Sequence, residues 1–358
     1  MFKFKHLKGI HLEITSRCQA ACPMCARNYH GGLPNPNLVE SDWTLEEFKK
    51  IISPNVLKQI RYFYFCGNYG DPMVNNDLIE MCRYSKSIAP NVTIKIHTNG
   101  GARKTEWWSE LASVLDSNDR VIFAIDGLED THHLHRVNTT YNRVIENATA
   151  FINAGGKADW AMLVFKHNEH QVEEARQRAQ SLGFANFSMK ASTRFIASDK
   201  FEVYDKEKNI THYLEPSSTI NLNFITQEQV DKFQEWVDNT EINCVVKYGK
   251  EIYIDAQKIL HPCCFIAPAK YSYNDNGILK EPQEKIKRQY FSLVESLGGF
   301  EKLNTINNSI GTIINSKEYQ TVWDHYWNKD KLIMCAKTCG KANSFSNPRD
   351  QFIEVVEL

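Results

Sequence analysis

The sequence predicts an α/β protein, with strand–helix repeats building a parallel sheet and a smaller α+β region behind them. Three observations carry this expectation. Through the first half, short β-rich runs alternate with helical patterns, as βαβ units require. Near residue 200, give or take ten, that alternation stops. The chain's 10 cysteines are also unevenly placed, with Cys18, Cys22 and Cys25 close together and Cys244, Cys263, Cys264, Cys335 and Cys339 late in the chain.

The elements follow in order. Ile10–Thr15 (IHLEIT) reads as the first strand and ends at the cysteine triplet. A helix start at Ser41-Asp42-Trp43-Thr44 leads into Leu45–Ile51. Strands at Arg61–Phe65, Thr93–His97, Arg120–Ile125, Ala158–Phe165 and Phe184–Lys190 then alternate with helices. Those helices lie at Asp77–Ile88, Thr105–Leu115, Tyr141–Ala154 and His170–Leu182. Such a series forms either an open barrel or a long doubly wound sheet. Residues 198–225 read as polar and irregular, and a helix over Thr226–Asn239 leads into Cys244. Glu251–Asp255 and Lys258–His261 read as a short hairpin running into Pro262-Cys263-Cys264, with helices at Glu284–Leu297 and Ser316–Trp327. The expected division is 1–200, a bridging stretch 201–240, and 241–358.

Composition narrows the function. The 358 residues are 42% hydrophobic and 24% charged, which excludes fibrous, disordered and low-complexity classes. With 42 Lys+Arg against 43 Asp+Glu, the chain shows no electrostatic footprint for nucleic acid. No apolar run approaches the ~18 residues of a spanning helix, and the N-terminus lacks a signal-peptide core, so no membrane association and a cytoplasmic location are expected. Cysteines in that compartment point to metal or catalytic work rather than disulfides.

The triplet sits in the loop after the first strand, on the face where parallel α/β folds form active sites. Three thiolates can hold one iron–sulfur cubane and leave an iron open. A structural zinc, taking His11 or His30 as fourth ligand, is the alternative. No phosphate-binding Gly-x-x-x-x-Gly-Lys loop, Ser-His-Asp order or dinucleotide fingerprint is present.

Cys18-x-x-x-Cys22-x-x-Cys25 after the first strand of a βα-repeat region resembles the radical S-adenosylmethionine (SAM) superfamily. The resemblance covers about residues 8–190 and implies a partial (β/α)6 TIM-like barrel. It implies a catalytic [4Fe–4S] cluster on Cys18, Cys22 and Cys25, with SAM chelated at the open iron. It also implies that Met24 packs near the adenine. Gly67-Asn68-Tyr69-Gly70-Asp71-Pro72 resembles the family's Gly-Gly-Glu-Pro loop, which receives the methionine amino group, but departs from it at Tyr69 and Asp71. Thr98-Asn99-Gly100 and Ile125-Asp126-Gly127 resemble segments that approach the ribose and carboxylate of SAM, with Ala124 where serine is expected. Arg136 resembles an arginine pairing with the SAM carboxylate, and Val164 is expected to flank the adenine.

Cys244, Cys263, Cys335 and Cys339 suffice for a second cubane, and their pattern resembles the C-terminal SPASM/twitch extension of many radical SAM enzymes. Thirteen residues separate Cys244 from Lys258 and four separate Lys258 from Cys263. Lys258 stands where that pattern has glycine, and the fit selects Cys263 over Cys264. One auxiliary [4Fe–4S] cluster is therefore expected, with zinc on the same four cysteines as the alternative. Cys66 and Cys82 read as core. His132, His133, His135, His167 and His170 read as solvated loop residues.

The resemblance implies an enzyme that cleaves SAM to a 5′-deoxyadenosyl radical and takes hydrogen from a substrate, either a peptide side chain or a small metabolite. An electron donor such as flavodoxin or ferredoxin would supply the cluster. An iron–sulfur electron carrier, or a zinc-stabilised binding protein without SAM turnover, is the competing class.

Overall fold

The computed structural model describes residues 1–192, 194–195, 199–220, 232–272, 281–341 and 352–358. Its first half alternates strand and helix: β1 (Gly9–Leu12), α1 (Leu45–Ile51), α2 (Pro54–Gln59), β2 (Tyr62–Phe65), α3 (Leu78–Ile88), β3 (Thr93–Thr98), α4 (Thr105–Val114), β4 (Arg120–Ala124), α5 (His132–His135), α6 (Tyr141–Asn153), β5 (Ala158–Val164), α7 (Val172–Ser181) and β6 (Asn186–Ala191). Local chemistry sets these boundaries. Thr44 opens α1 with a reciprocal capping box to Glu47, and Thr140 caps α6 by accepting from the Arg143 N–H. Two short helices, α2 and α5, were not expected from the sequence. Both are too short to show a helical period.

The strands β1 to β6 pair in sequence order, each parallel to the next. A doubly wound sheet would reverse its order at a switch point, so the fold is the open-barrel alternative. Side chains alternate along each strand. Phe63, Phe65, Ile94, Ile96, Trp160 and Met162 turn outward under the helices and are fully buried. The opposite face carries the smaller or polar side chains of Tyr64, His97, Ala161 and Lys190.

The C-terminal half completes this sheet. β9 (Glu251–Ile254) pairs in parallel with β1, and β10 (Leu260–His261) folds back antiparallel on β9. At the other edge β11 (Phe352–Glu357) lies antiparallel to β6. Both ends of the parallel array are thereby extended, and β10 and β11 become the edges of the sheet. Lys258 makes the β9–β10 turn in the left-handed conformation, with φ 66°. The turn thus keeps the backbone form that glycine would give, at a cost of about 1–2 kcal/mol. The Lys258 ammonium also donates to the Asp42 carbonyl (3.0 Å) and pairs with Glu47 (3.2 Å).

The stretch expected to be irregular contains an antiparallel hairpin, β7 (Phe201–Tyr204) with β8 (Ile210–Leu214). The Thr226–Asn239 helix is present as Phe233–Asn239, while 226–231 lie outside the described residues. Helices at Glu281–Ser296, Lys317–Asn328 and Ile333–Cys339 pack the last cysteines against the barrel.

Candidate active site

At the C-terminal ends of the strands lies a cavity of about 310 Å³. Cys18, Cys22 and Cys25 line it together with Met24, Gly67, Gly70, Asp71, Thr98, Asn99 and Arg136. Residues drawn from the ends of successive strands thus face one space. Three expected contacts lie off it. Pro72 opens a one-turn helix behind the loop. Asp126 is fully buried behind Arg136. Val164 is 2% exposed in the outer core, and its neighbour Leu163 faces the cavity instead. Strand alternation is the reason, since a one-residue offset moves a side chain to the other face.

Polar residues hold the walls. The buried Asp71 carboxylate accepts from the Thr98 hydroxyl (2.9 Å), the Asn99 N–H (2.7 Å) and the Asn99 amide (2.7 Å). It therefore ties two loops together rather than projecting toward a ligand. Burial raises its carboxyl to about 6, against these hydrogen bonds. The Asn99 amide also reaches Cys18 Sγ (3.5 Å), and Gln19 donates to Asn99 Oδ1 (2.6 Å). Arg136 pairs with Asp126 through Nε (2.5 Å) and reaches Cys22 Sγ through Nη1 (3.8 Å). Burial alone would raise the Asp126 carboxyl, but Arg136 and His135 hold it below the usual carboxylate range.

The glycine loop approaches the backbone of the first strand's extension. A Cβ on Gly70 would collide with the Thr15 carbonyl, and one on Gly67 with the Gly70 carbonyl. The Tyr69 and Gly70 N–H groups donate to Glu13 Oε1 (2.7 and 3.0 Å), and the Tyr253 hydroxyl donates to Oε2. Burial lifts the Glu13 carboxyl to about 7. Tyr69, the departure from the family loop, is buried and sends its hydroxyl to the Pro268 carbonyl (3.0 Å). It thereby joins the loop to the C-terminal segment.

Several residues escaped the sequence reading. Cys66 and Lys190 line the cavity, so Cys66 is not simply core. Cys82 is fully buried, as expected. His132 and His135 are buried rather than solvated, and His135 Nδ1 bonds Asp126 (2.7 Å). They lie four residues and one residue before Arg136, in a helix too short to show a period. The zinc-ligand candidates are otherwise engaged: His11 stacks on Tyr64 (4.4 Å), and His30 lies against Phe201 (4.4 Å).

The second cysteine set also converges. Cys244, Cys263, Cys335 and Cys339 line one small cavity with Trp323, Trp327 and Met334. Cys244 hydrogen-bonds with Cys339, and that contact together with burial and the neighbouring thiols raises its thiol. Burial pushes Cys263 up to about 12. Cys264 faces the barrel instead, with Cys66 and Glu251 among its neighbours. Among the described residues no three His, Cys, Asp or Glu side chains are drawn together tightly enough for a single metal ion. The thiols instead ring cavities. As a donor set, three thiols in one ring and four in the other suit sulfur-ligated clusters, whose charge would offset the repulsion among thiolates.

A groove of about 650 Å³ adjoins both cavities. It shares Met24, Cys25, Tyr69 and Arg194 with the first cavity, and Phe265 and Met334 with the second. The β7–β8 hairpin borders it, with the Tyr204 N–H donating to the His30 carbonyl (2.9 Å).

Comparison with known proteins bears on this site. A curated relative, the tungsten-containing aldehyde ferredoxin oxidoreductase cofactor-modifying protein of Pyrococcus furiosus, is 28% identical over 145 residues. That match covers 40% of this chain and 36% of the relative, so the chain spans about a third of the relative's length. Among solved structures, anSMEcpe with bound AdoMet superposes with a TM-score of 0.54 at 12% identity, covering 97% of this chain and 89% of that one. SuiB of Streptococcus suis bound to its precursor peptide SuiA gives 0.52 at 12% identity, covering 89% and 67%. At such identity these two show likeness of fold alone. Residues 12–179 match the family described as the Radical SAM superfamily. That region, which forms the partial barrel and carries the cysteine triplet, is thus similar to the radical SAM superfamily.

Proposed function

We propose that Cys18, Cys22 and Cys25 hold a [4Fe–4S] cluster with SAM beside it, and that the chain is a radical enzyme acting on a peptide side chain or small metabolite in the adjoining groove. The supporting observation is the groove itself, which has Cys25 in its lining and extends to Phe265 and Met334, residues that also line the cavity of the second cysteine ring. Such a cluster, if reduced by a flavodoxin- or ferredoxin-like donor, would supply the reductive cleavage of SAM to a 5′-deoxyadenosyl radical that would take hydrogen from the substrate. The chain's own residues position and shield. Asn99 orients Cys18 by its amide hydrogen bond. Arg136, its fork fixed by Asp126, presents positive charge beside Cys22 and toward a SAM carboxylate. Met24, Leu163 and Ala161 give the cavity apolar walls that exclude water. Glu13 and Asp71 are loop-positioning residues. Cys244, Cys263, Cys335 and Cys339 would hold one auxiliary [4Fe–4S] cluster at the far end of the groove. The peptide arm has support from two similar folds, which are described bound to peptides.

The test is iron and sulfide content after anaerobic reconstitution, with 5′-deoxyadenosine measured under dithionite. Cys18→Ala/Cys22→Ala/Cys25→Ala should lower iron from about eight to about four per chain and abolish 5′-deoxyadenosine. An unchanged chain holding about four irons would refute the auxiliary cluster. Failure to release 5′-deoxyadenosine would refute the activity.

A further inference from the structure

We propose that the Trp327 indole N–H and the Thr338 hydroxyl donate to the sulfurs of a cluster held by Cys244, Cys263, Cys335 and Cys339, and so raise its reduction potential. This deepens the auxiliary-cluster reading and rests on it. Both residues line the same cavity as the four thiols. Trp327 Nε1 and Thr338 Oγ1 are buried, and among the described residues neither has a hydrogen-bond partner. Thr338 as a whole is only 3% exposed. Buried polar groups are almost always paired, so two orphans on one ring of thiols mark the place of an acceptor.

Local structure turns both groups toward the ring. Cys335, Thr338 and Cys339 stand at i, i+3 and i+4 of the helix Ile333–Cys339, which puts the three side chains on one face. A threonine inside a helix commonly turns its hydroxyl back to the carbonyl four residues earlier. Thr338 makes no such bond to the Met334 carbonyl. Trp327 lies in the last turn of the helix Lys317–Asn328, one turn after Trp323, and its ring tilts against the Trp323 ring at 5.4 Å. Trp323 lines the cavity too, but its own N–H already donates to the Tyr319 carbonyl (2.7 Å). Trp327 is therefore the indole left to donate. Its Nε1 lies near the Cys335 thiol and favours the charged form, though outside hydrogen-bond geometry. Cluster sulfurs accept such bonds, and a reduced cluster, carrying one more negative charge, accepts them more strongly. Two donors thus favour the reduced form, which makes the ring a better electron acceptor.

The test is a redox titration, followed by electron paramagnetic resonance, of the full chain after anaerobic reconstitution. It uses the Cys18→Ala/Cys22→Ala/Cys25→Ala background, in which the second ring holds the only cluster. Trp327→Phe and Thr338→Val should each lower the midpoint potential. The reduced-to-oxidised ratio at fixed potential should fall about fivefold, as one lost hydrogen bond gives, or about 40 mV at about 59 mV per tenfold. Thr338→Ser keeps the hydroxyl and should keep the parent potential. Iron should stay at about four per chain in every variant, which separates tuning from loss of the cluster. Packing loosened enough to admit water would raise the potential instead, so the sign of the shift discriminates. With iron retained, a potential unchanged or raised in either variant, or Thr338→Ser as low as Thr338→Val, would overturn this proposal and leave the auxiliary cluster standing. A background variant without iron, or with zinc in its place, would overturn the auxiliary cluster and this proposal together.

Discussion

Asp126 anchors the wall of the triplet cavity, and replacing it tests that role quantitatively. Its carboxylate is fully buried and accepts from Arg136 Nε (2.5 Å), His135 Nδ1 (2.7 Å) and the Leu163 N–H (2.7 Å). Asp126→Asn keeps the shape and one acceptor oxygen, but strands the guanidinium. Breaking one side of a buried pair costs about 3–5 kcal/mol. Arg136 is 18% exposed, against 0% for Asp126, which places the loss at the lower end, about 3 kcal/mol. At about 2 °C per kcal/mol for a chain of this size, the midpoint should fall by roughly 6 °C. Arg136→Met in the Asp126→Asn background should recover part of the loss, because the stranded charge is then gone. The pH dependence has a defined sign. A carboxyl held below its ordinary value contributes stability above the unfolded pKa of about 4, and loses it as pH falls through the folded value. Calorimetric melts of the single and double variants from pH 3 to 7 are the assay. A loss under about 1 kcal/mol, or no recovery in the double variant, would refute the assigned role.

Three further outcomes are expected. Gly70→Ala should destabilise by about 3 kcal/mol or more, because its Cβ meets the Thr15 carbonyl, whereas Gly249→Ala, with open space around it, should stay within about 0.5 kcal/mol; urea titration separates the two. Glu13, lifted to about 7 by burial, contributes stability that is full below its unfolded value of 4.5 and is lost as pH rises through 7. Glu13→Gln should flatten that slope in melts across the same interval, and an unchanged slope would assign it to another group. Cys263→Ala should lower reconstituted iron from about eight to about four per chain, and Cys264→Ala should leave it unchanged; the reverse order would mean that Cys264 is the ligand.

Much of the barrel was legible because its signals are local. Thr44 with Glu47 marks a helix start, and β-rich runs ending in Cys18, Gly67, Thr98 and Asp126 mark strand ends. Contacts along a strand end were harder to read. Val164 was expected at the cavity, but pleat alternation assigns that place to Leu163. The histidines of α5 looked solvated because a four-residue helix shows no amphipathic period. The irregular-looking stretch after residue 198 forms a hairpin whose register is set by its partner strand and by packing on His30, neither of which is visible locally.

The sequence by itself determined the order of strands and helices, the cysteine triplet and the spacing that favours Cys263. Each of these depends on residues close together in the chain. Only the tertiary structure decided that β9 and β11 flank the parallel strands β1 to β6, that Cys263 rather than Cys264 faces the other three thiols, and that one groove shares Tyr69 and Arg194 with the triplet cavity and Phe265 and Met334 with the second. Those outcomes depend on which distant segments bury their apolar faces against each other, and no local pattern encodes that choice.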